Sequence, residues 1–593
     1  MTRRLLTPLL VALLLIGGRA ASADAHDPTF PTAAGGGLRR IYAPYNLMGH
    51  ESPIFWFGQV TPSLNYADVR VGYRDEYVFV HVAIIDRRLW YDTSPSPSDL
   101  TEWDSVSLYL HASPASASGL TAADYRFDGQ LYWFGDDRTP YQAAYRGVGG
   151  HWSPVSFAFE TRVSWSGDMV NNNVDDRGWW LLYRIPFSSL GMSAPPPEGT
   201  MWRIGVVLHD RDDQAGLERT SQVWPETLTS TNPATWGELV YGLPSPYDPP
   251  DLVYGGVTTI RHGLNGAVVT DADVGGSSNC GAPAGPGFFP TWGALNYAGK
   301  EFSNIQGLVI GDWPCLSKYY VTFPLDLIPD RQAIISATLT LYQSGHAGVG
   351  WDPGPQPSLI QVATIDRDWD EATLTWNNAP LAVEMVSRAW VDPVAVVPPP
   401  WPGVARHWDV SGAVAQAYAA GEPLRLALYS PTFDMNQGKY FYTSDVGYTG
   451  EGRPTLTVAW GQPPAELTKS VSTAAVWQGD SVDYSLSFLG TGGALALTDT
   501  LPTGAAWTGN VLLQGTASSP VYDSAHHRLT WGGSPPWGRR VIITYTMSIG
   551  VAEAQALVNA ADLVDGDGRR TSAEVMVIAN PTQTLLPIVF RER

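Results

Sequence analysis

The stretch DRDWDEATLTWNNAP, residues 366–380, sets Asp366, Asp368, Asp370 and Glu371 around Trp369 and Trp376 and follows them with Asn377 and Asn378. Three uses are open to such a set. Two carboxylates held roughly 5–10 Å apart across a cleft can cleave a glycosidic bond, one as acid and the other as base or nucleophile. Carboxylates at alternate positions can hold calcium, but an EF-hand loop needs Gly at its sixth position and Glu at its twelfth, where this chain has Glu371 and Asn377. The third use is a turn at the start of a strand, ended by Pro380. The spacing favours the turn.

Other catalytic signatures are missing. The chain has no G-x-S-x-G, no H-E-x-x-H, no P-loop and no dinucleotide fingerprint, and its 11 histidines are scattered. No catalytic residue is therefore assigned, and a non-enzyme is expected. The two cysteines, Cys280 and Cys315, are too few for a metal cluster and are expected to form one disulfide in an oxidising compartment. That compartment is suggested by the N-terminus: Arg3 and Arg4, an apolar run over residues 5–16 and A-x-A sites at 21–23 and 23–25 read as a secretory signal peptide, residues 1–25. The apolar run is shorter than the ~20 residues a membrane span needs, and no other stretch of the sequence is long enough.

The elements that must carry any site are strands. With 60 Gly, 47 Pro, 24 Trp and 27 Tyr in 593 residues, the chain suits short strands and tight turns. Its net charge of −21 repels polyphosphate and disfavours nucleic acid as a partner. Pro-rich stretches GLPSPYDPP (242–250) and GQPPAE (461–466) divide it. The expectation is all-β: three tandem β-sandwich or jelly-roll domains at 38–243, 257–460 and 465–579, linkers at 244–256 and 461–464, and a tail at 580–593. The tail, TLLPIVFRER, is apolar and then basic, too short to span a bilayer and without an L-P-x-T-G signal.

In the first domain YVFVHVAIIDRRLW, EWDSVSLYL, YRIPFSSLG, GTMWRIGVVLHDRD and NPATWGEL follow in an order that resembles the family-nine carbohydrate-binding modules. The resemblance implies a β-sandwich that grips a glycan end between two tryptophans. By register those positions fall on Thr101 and Ser230 here. Trp103, Trp224 and Trp236 are the candidate carbohydrate-binding residues, with Trp179 and Trp180 beside them, because sugar rings stack on exposed aromatic faces. A one-residue shift in a strand sends a side chain to the other face, so these rings compete with a core role. The same resemblance implies structural calcium, for which Asp104, Asp210 and Asp212 are the candidate ligands. Asp213 and the run DMVNNNVDDRG, 168–178, offer similar oxygen donors.

The second domain contains W-D-E-A-T-L-T-W-N-N-A-P, then W-D-V with a short helix, then R-P-T-L-T-V, and resembles the DNRLRE domains of secreted bacterial proteins, some relatives of which bind carbohydrate. In such domains the acidic turn has no catalytic role. The third, with GDSVDYSLSF, LTDTLPTG and VNAA, is similar to an immunoglobulin-like conserved repeat of bacterial surface proteins and implies a spacer. Together these imply a secreted, non-catalytic protein, extracellular or at the cell surface, that binds a polysaccharide or glycan through its first domain and through the second as well. The competing expectations are a structural or adhesive surface protein without sugar binding and, less favoured, an accessory or part of a glycoside hydrolase.

Overall fold

The computed structural model describes residues 38–45, 51–115, 117–215, 220–249, 253–276, 287–307, 314–330, 332–462, 466–491, 493–536, 539–566 and 568–581. The expected signal peptide and nearly all of the expected tail lie outside them. Strands dominate, and they form six sheets whose members come from three successive stretches of chain.

In the first stretch one sheet runs Arg40–Ala43, Gly237–Tyr241, Met201–His209, Ser105–His111, Asp124–Gln130, Gln142–Val148 and His151–Val155, with Gln222–Trp224 paired to Met201–His209. The facing sheet runs Ile54–Thr61, Leu64–Arg74, Tyr77–Ile85, Gly178–Pro186 and Glu160–Ser166. The first strand pairs in parallel with the last of the stretch, Arg40 opposite Glu238, which closes it on itself. Alternation explains the layers. Val78, Val80, Val82 and Ile84 point into the sandwich and are buried among Val69, Leu181 and Tyr183. Ala83 and Ile85 point the other way and are buried as well, which is why the strand reads as nearly unbroken apolar sequence.

What they are buried against is the second stretch. Its sheets are Val253–Arg261, Thr455–Gln462, Ala333–His346, Lys439–Tyr442 and Phe302–Ile305, with Val404–Asp409 on Ala333–His346, facing Thr270–Gly275, Ser317–Phe323, Leu424–Tyr429, Ser358–Ile365 and Ala382–Val391. The helix Ser411–Ala420 ends at Gly421, whose φ of +70° suits a glycine cap. Strands Val253–Arg261 and Thr455–Gln462 run into both stretches expected as linkers, and Tyr247 donates its hydroxyl to Ile334 O, so the chain before the second sandwich is docked. The third stretch pairs the sheet Leu467–Val471, Ser481–Leu489, Arg540–Ile549, Ala505–Gln514 with the sheet Ala475–Val476, Arg570–Ala579, Gln555–Asp565, Leu495–Thr500, Arg528–Gly533, Val521–Asp523. It has its own core around Tyr484, Leu486, Ile543 and Leu563. Cys315 is disulfide-bonded, while Cys280 lies outside the described residues.

Two buried acids on Thr270–Gly275 give the second sandwich a pH response. Asp271 accepts from the Tyr319 hydroxyl and from Ser444 N and Oγ, both at 2.8 Å, whereas Asp273 Oδ1 is buried without a partner. Burial pushes Asp271 up to about 7 and Asp273 up to about 8. Both then hold a proton in the folded state that the unfolded chain has lost, so stability is highest below the ordinary aspartate pKa and falls as pH rises towards 7. Lys439, whose pKa burial lowers to about 7, begins to act with the opposite sign only above that pH. Urea midpoints taken from pH 4 to pH 7 are expected to fall steadily. Asp273→Asn should flatten that slope and raise stability near neutral pH by about 1–2 kcal/mol, since the amide needs no proton to stay neutral. A flat wild-type profile would remove the assignment.

Candidate functional site

The motif 366–380 sits at the seam between the first two sandwiches. Asn377 Oδ1 accepts from Val60 N at 2.7 Å and its Nδ2 donates to Val60 O at 3.1 Å, so one side chain copies a strand's pairing pattern. Asp366 Oδ2 accepts from the buried guanidinium of Arg39 at 2.8 Å, which also pairs with Glu226 and donates to Ala382 O. Asp370 Oδ1 accepts from Ala372 N and Asn378 Oδ1 from Thr375 N, the hydrogen bonds of a turn. Glu371 Oε1 accepts from Gly299 N and Asp368 pairs with Arg425. The carboxylates thus point to four different places, and no acid pair faces a cleft among them.

Trp376 joins a closed box. The Lys318 ammonium lies 3.6 Å from the centre of the Trp376 ring, 4.6 Å from Trp56 and from Tyr66, and 5.1 Å from Tyr429. Asp68 accepts from Tyr66 and Tyr429 hydroxyls at 2.5 and 2.7 Å. Trp56, Tyr66 and Asp68 belong to the first stretch; Lys318, Trp376 and Tyr429 to the second. Burial lowers the lysine well below its ordinary pKa and Asp68 opposes it. The box is sealed, with Lys318 1% exposed, and no ligand reaches it.

The tryptophans named from the sequence are placed otherwise than a sugar clamp requires. Trp224 is 1% exposed and stacks on Phe55 with ring centres 3.8 Å apart, and Trp236 is fully buried beside Tyr109. Trp179 is fully buried and donates to Asp86 Oδ2, and Trp180 packs on the seam. Trp103 is half-buried, with the Arg211 guanidinium 3.8 Å over its ring. Trp179 and Trp224 lie on strands with their rings in the core, Trp180 takes the face opposite to Trp179, and Trp103 and Trp236 stand just outside strands. Thr101 and Ser230 leave the clamp positions without aromatic faces.

Two of the three acids named from the sequence meet in one place. Asp104 and Asp210 come together with Asp86, all three buried, their carboxylate oxygens within 4.8 Å of one another. Asp212 is buried and close enough to act on Asp86, but it stands outside that group. Asp104 also accepts from Trp90 N and Arg211 N at 2.6 and 2.8 Å. Burial, then mutual repulsion, raises Asp86 and Asp104 well above the carboxylate range. A set made only of oxygen, with three carboxylates in one buried spot, fits a hard divalent cation such as calcium. Asp86 escaped the sequence reading, although a lone acid closing the apolar run VHVAII was a signal.

A serine, a histidine and an acid also meet: Ser107 Oγ is 3.1 Å from His209 Nε2 and donates to Asp128 Oδ1 at 2.6 Å. The acid holds the hydroxyl and not the imidazole, and Ser107 is fully buried, so the group lacks the order and access of a triad.

Among the described residues, clustered aromatic rings reach the surface in each of the first two sandwiches. In the second sandwich Trp401 lies 5.0 Å from Tyr442 and 5.2 Å from Tyr448, and Phe302 lies 5.4 Å from Tyr442. Tyr448 is 68% exposed and Phe302 is on the surface, while Tyr442 forms the floor. Trp401 Nε1 donates to Thr449 Oγ1 at 3.0 Å, which in turn donates to Glu451, so polar groups rim the strip. Trp351 and Trp390 are exposed on the same sandwich. In the first, Trp133, Phe134 and Trp165 have ring centres 5.0–5.5 Å apart. Phe134, 69% exposed, borders an open depression of about 350 Å³ lined also by Asp136, Asp137, Arg138 and Arg162. Neither strip was found from sequence, since Trp401, Tyr448, Trp133 and Phe134 stand in loops, where no alternation marks a face.

Residues 294–447 match the model of carbohydrate-binding module family 96. The matched segment contains Phe302, Trp351, Trp390, Trp401 and Tyr442, and Tyr448 follows it directly. No curated protein matches the chain. Among solved structures the chain is similar to a family 9 carbohydrate-binding module from Caldicellulosiruptor kristjanssonii in complex with cellotriose, at 15% identity over 35% of this chain and 96% of that one, with a TM-score of 0.24. It is also similar to the collagen-binding domain of a Staphylococcus aureus adhesin, at 13% identity over 19% of this chain and 96% of that one, TM-score 0.16. Likenesses of this extent say nothing about what the present chain binds.

Proposed function

We propose that the protein is a secreted, non-catalytic binder of polysaccharide or surface glycan, and that it holds the sugar on the aromatic strip of the family-96 segment. The observation that carries this reading is the coincidence of the family match with Phe302, Trp401, Tyr442 and Tyr448, an aromatic surface rimmed by Thr449 and Glu451. Sugar rings offer flat C–H faces to such surfaces and hydroxyls to polar groups beside them. The first sandwich contributes a second platform at Trp133, Phe134 and Trp165, in place of the tryptophans named from the sequence. Calcium held by Asp86, Asp104 and Asp210 is a structural ion in this reading, fixing the loops at that edge of the first sandwich by charge neutralisation. The third sandwich serves as a spacer, and secretion rests on the signal-peptide pattern of residues 1–25. The burial of Trp224 and Trp236 supports one competing reading, in which the first sandwich is scaffold only.

Affinity electrophoresis of the full chain in gels containing soluble polysaccharides of different classes tests the proposal. Retardation by one class, reduced roughly five- to thirtyfold in affinity by Tyr448→Ala or Trp401→Ala, is expected, since loss of one stacking face removes ~1–2 kcal/mol. Loss with Phe134→Ala alone would move the site to the first sandwich. A folded protein that no polysaccharide retards would leave the adhesive or structural reading.

A further inference from the structure

The apolar core of the third sandwich encloses a polar group that sugar recognition does not use. Along ELTKSVS the inward row is Leu467, Lys469, Val471; along LALTDTL it is Leu495, Leu497, Asp499, Leu501; along LVNAADL it is Leu557, Asn559, Ala561, Leu563. In each, one position of an apolar row is given to an amine, an acid or a carboxamide. Lys469 stands on Leu467–Val471, in one sheet, and Asp499 and Asn559 stand on the paired strands Leu495–Thr500 and Gln555–Asp565 of the sheet that faces it. The side chains of Lys469 and Asp499 and the whole of Asn559 are fully enclosed.

The contacts are those of reactants. Lys469 Nζ donates to Asn559 Oδ1 at 2.8 Å and to Asp499 Oδ1 at 2.5 Å. Tyr545 OH donates to Asp499 Oδ2 at 2.6 Å and accepts from Asn559 Nδ2 at 2.6 Å. The rings of Tyr484 and Tyr545 flank the ammonium at 5.6 and 5.8 Å. As a stabilising device this is a poor choice, because a buried ion pair seldom repays its desolvation. As a reaction centre it is complete: a nucleophile, an electrophilic carbonyl and a proton carrier, held together without water.

We propose that the third sandwich closes an amide bond within itself, from Lys469 Nζ to Asn559 Cγ, with Asp499 carrying the protons. The ammonium first gives a proton to Asp499, leaving a neutral amine and a neutral acid. Burial favours both forms, lowering Lys469 to about 8 and raising Asp499. The amine's lone pair then attacks Asn559 Cγ and the Nζ–Cγ bond forms. Asp499 takes the proton that Nζ sheds and delivers its own through Tyr545 OH to Nδ2. The Cγ–Nδ2 bond breaks, and the side-chain nitrogen leaves as ammonia. No oxidant, metal or cofactor enters the balance. The link ties the sandwich's first strand to its next-to-last, sheet to sheet.

Mass spectrometry of the purified full chain, intact and after digestion, tests this. The expected result is a mass lower by one ammonia than the processed, disulfide-bonded sequence, and a branched peptide joining Lys469 to Asn559. Asp499→Ala should restore the unlinked mass, and Asn559→Asp should give the same branched product by loss of water instead. An unlinked peptide pair from folded wild-type protein would overturn the proposal, a result that depends on no variant. A branch at Asp499 with loss of water would overturn the choice of acceptor, and a link that persists in Asp499→Ala would overturn the role given to that acid.

Discussion

Trp376→Ala is expected to lower the stability of the first two sandwiches by about 3–5 kcal/mol and to split their joint thermal transition in two. The size follows from what the ring touches. Trp376 is 3% exposed, lies 4.8 Å from both Tyr66 and Trp292, and forms the nearest wall of the Lys318 box. Removing it opens a cavity and uncovers the buried Lys318 amine at once. The splitting follows from where the ring sits: the cluster around it draws on Ile54, Trp56 and Ile85 of the first stretch and on Val274, Tyr320 and Ala427 of the second. Differential scanning calorimetry of the full chain reads both effects. Trp376→Phe, which keeps an aromatic wall, should retain the joint transition. If Trp376→Ala melts as the wild type does, the seam does not couple the two sandwiches.

On the proposal that Asp86, Asp104 and Asp210 hold calcium, its removal is the second large effect expected. A cation held at a thousand times its dissociation constant stabilises the folded state by about 4 kcal/mol. Excess chelator should therefore lower the melting temperature of the first sandwich and calcium should restore it, while magnesium, which demands a smaller and stricter shell, restores less. Asp210→Asn gives a result whose sign is informative. With calcium present the substitution removes a ligand charge and destabilises. With chelator it relieves repulsion among Asp86, Asp104 and Asp210 and stabilises relative to the wild type. A variant that is more stable than wild type in both conditions would show that the three acids hold no metal ion.

The strand pattern, the sandwich class and the turn nature of residues 366–380 were legible in the sequence because each is a local property. Alternation in YVFVHVAIID reports one buried face, and the Glu371 and Asn377 positions exclude an EF-hand without any tertiary knowledge. What the sequence did not disclose is relational. Ala83 and Ile85 gave an apolar second face, but not that another sandwich covers it. Asp104 and Asp210 were legible as oxygen donors on separate loops; that Asp86 joins them depends on the end of Tyr77–Ile85 reaching the same spot. Trp224 and Trp401 differ in exposure because of strand register and loop course, and both appear as single letters among 24 tryptophans.

The seam also has a consequence for long ligands. Two binding patches on a flexible tether sample many separations, and a polymer can engage both whatever its own stiffness. Here Asn377 pairs with the backbone of Val60, Arg39 is pinned between Glu226 and Asp366, and the Lys318 box is closed, so buried contacts and not a tether join the first two sandwiches. On the proposed function, the strip at Trp401 and the patch at Phe134 would then stand at a set separation, and a polymer would engage both only where its repeat and curvature fit that separation.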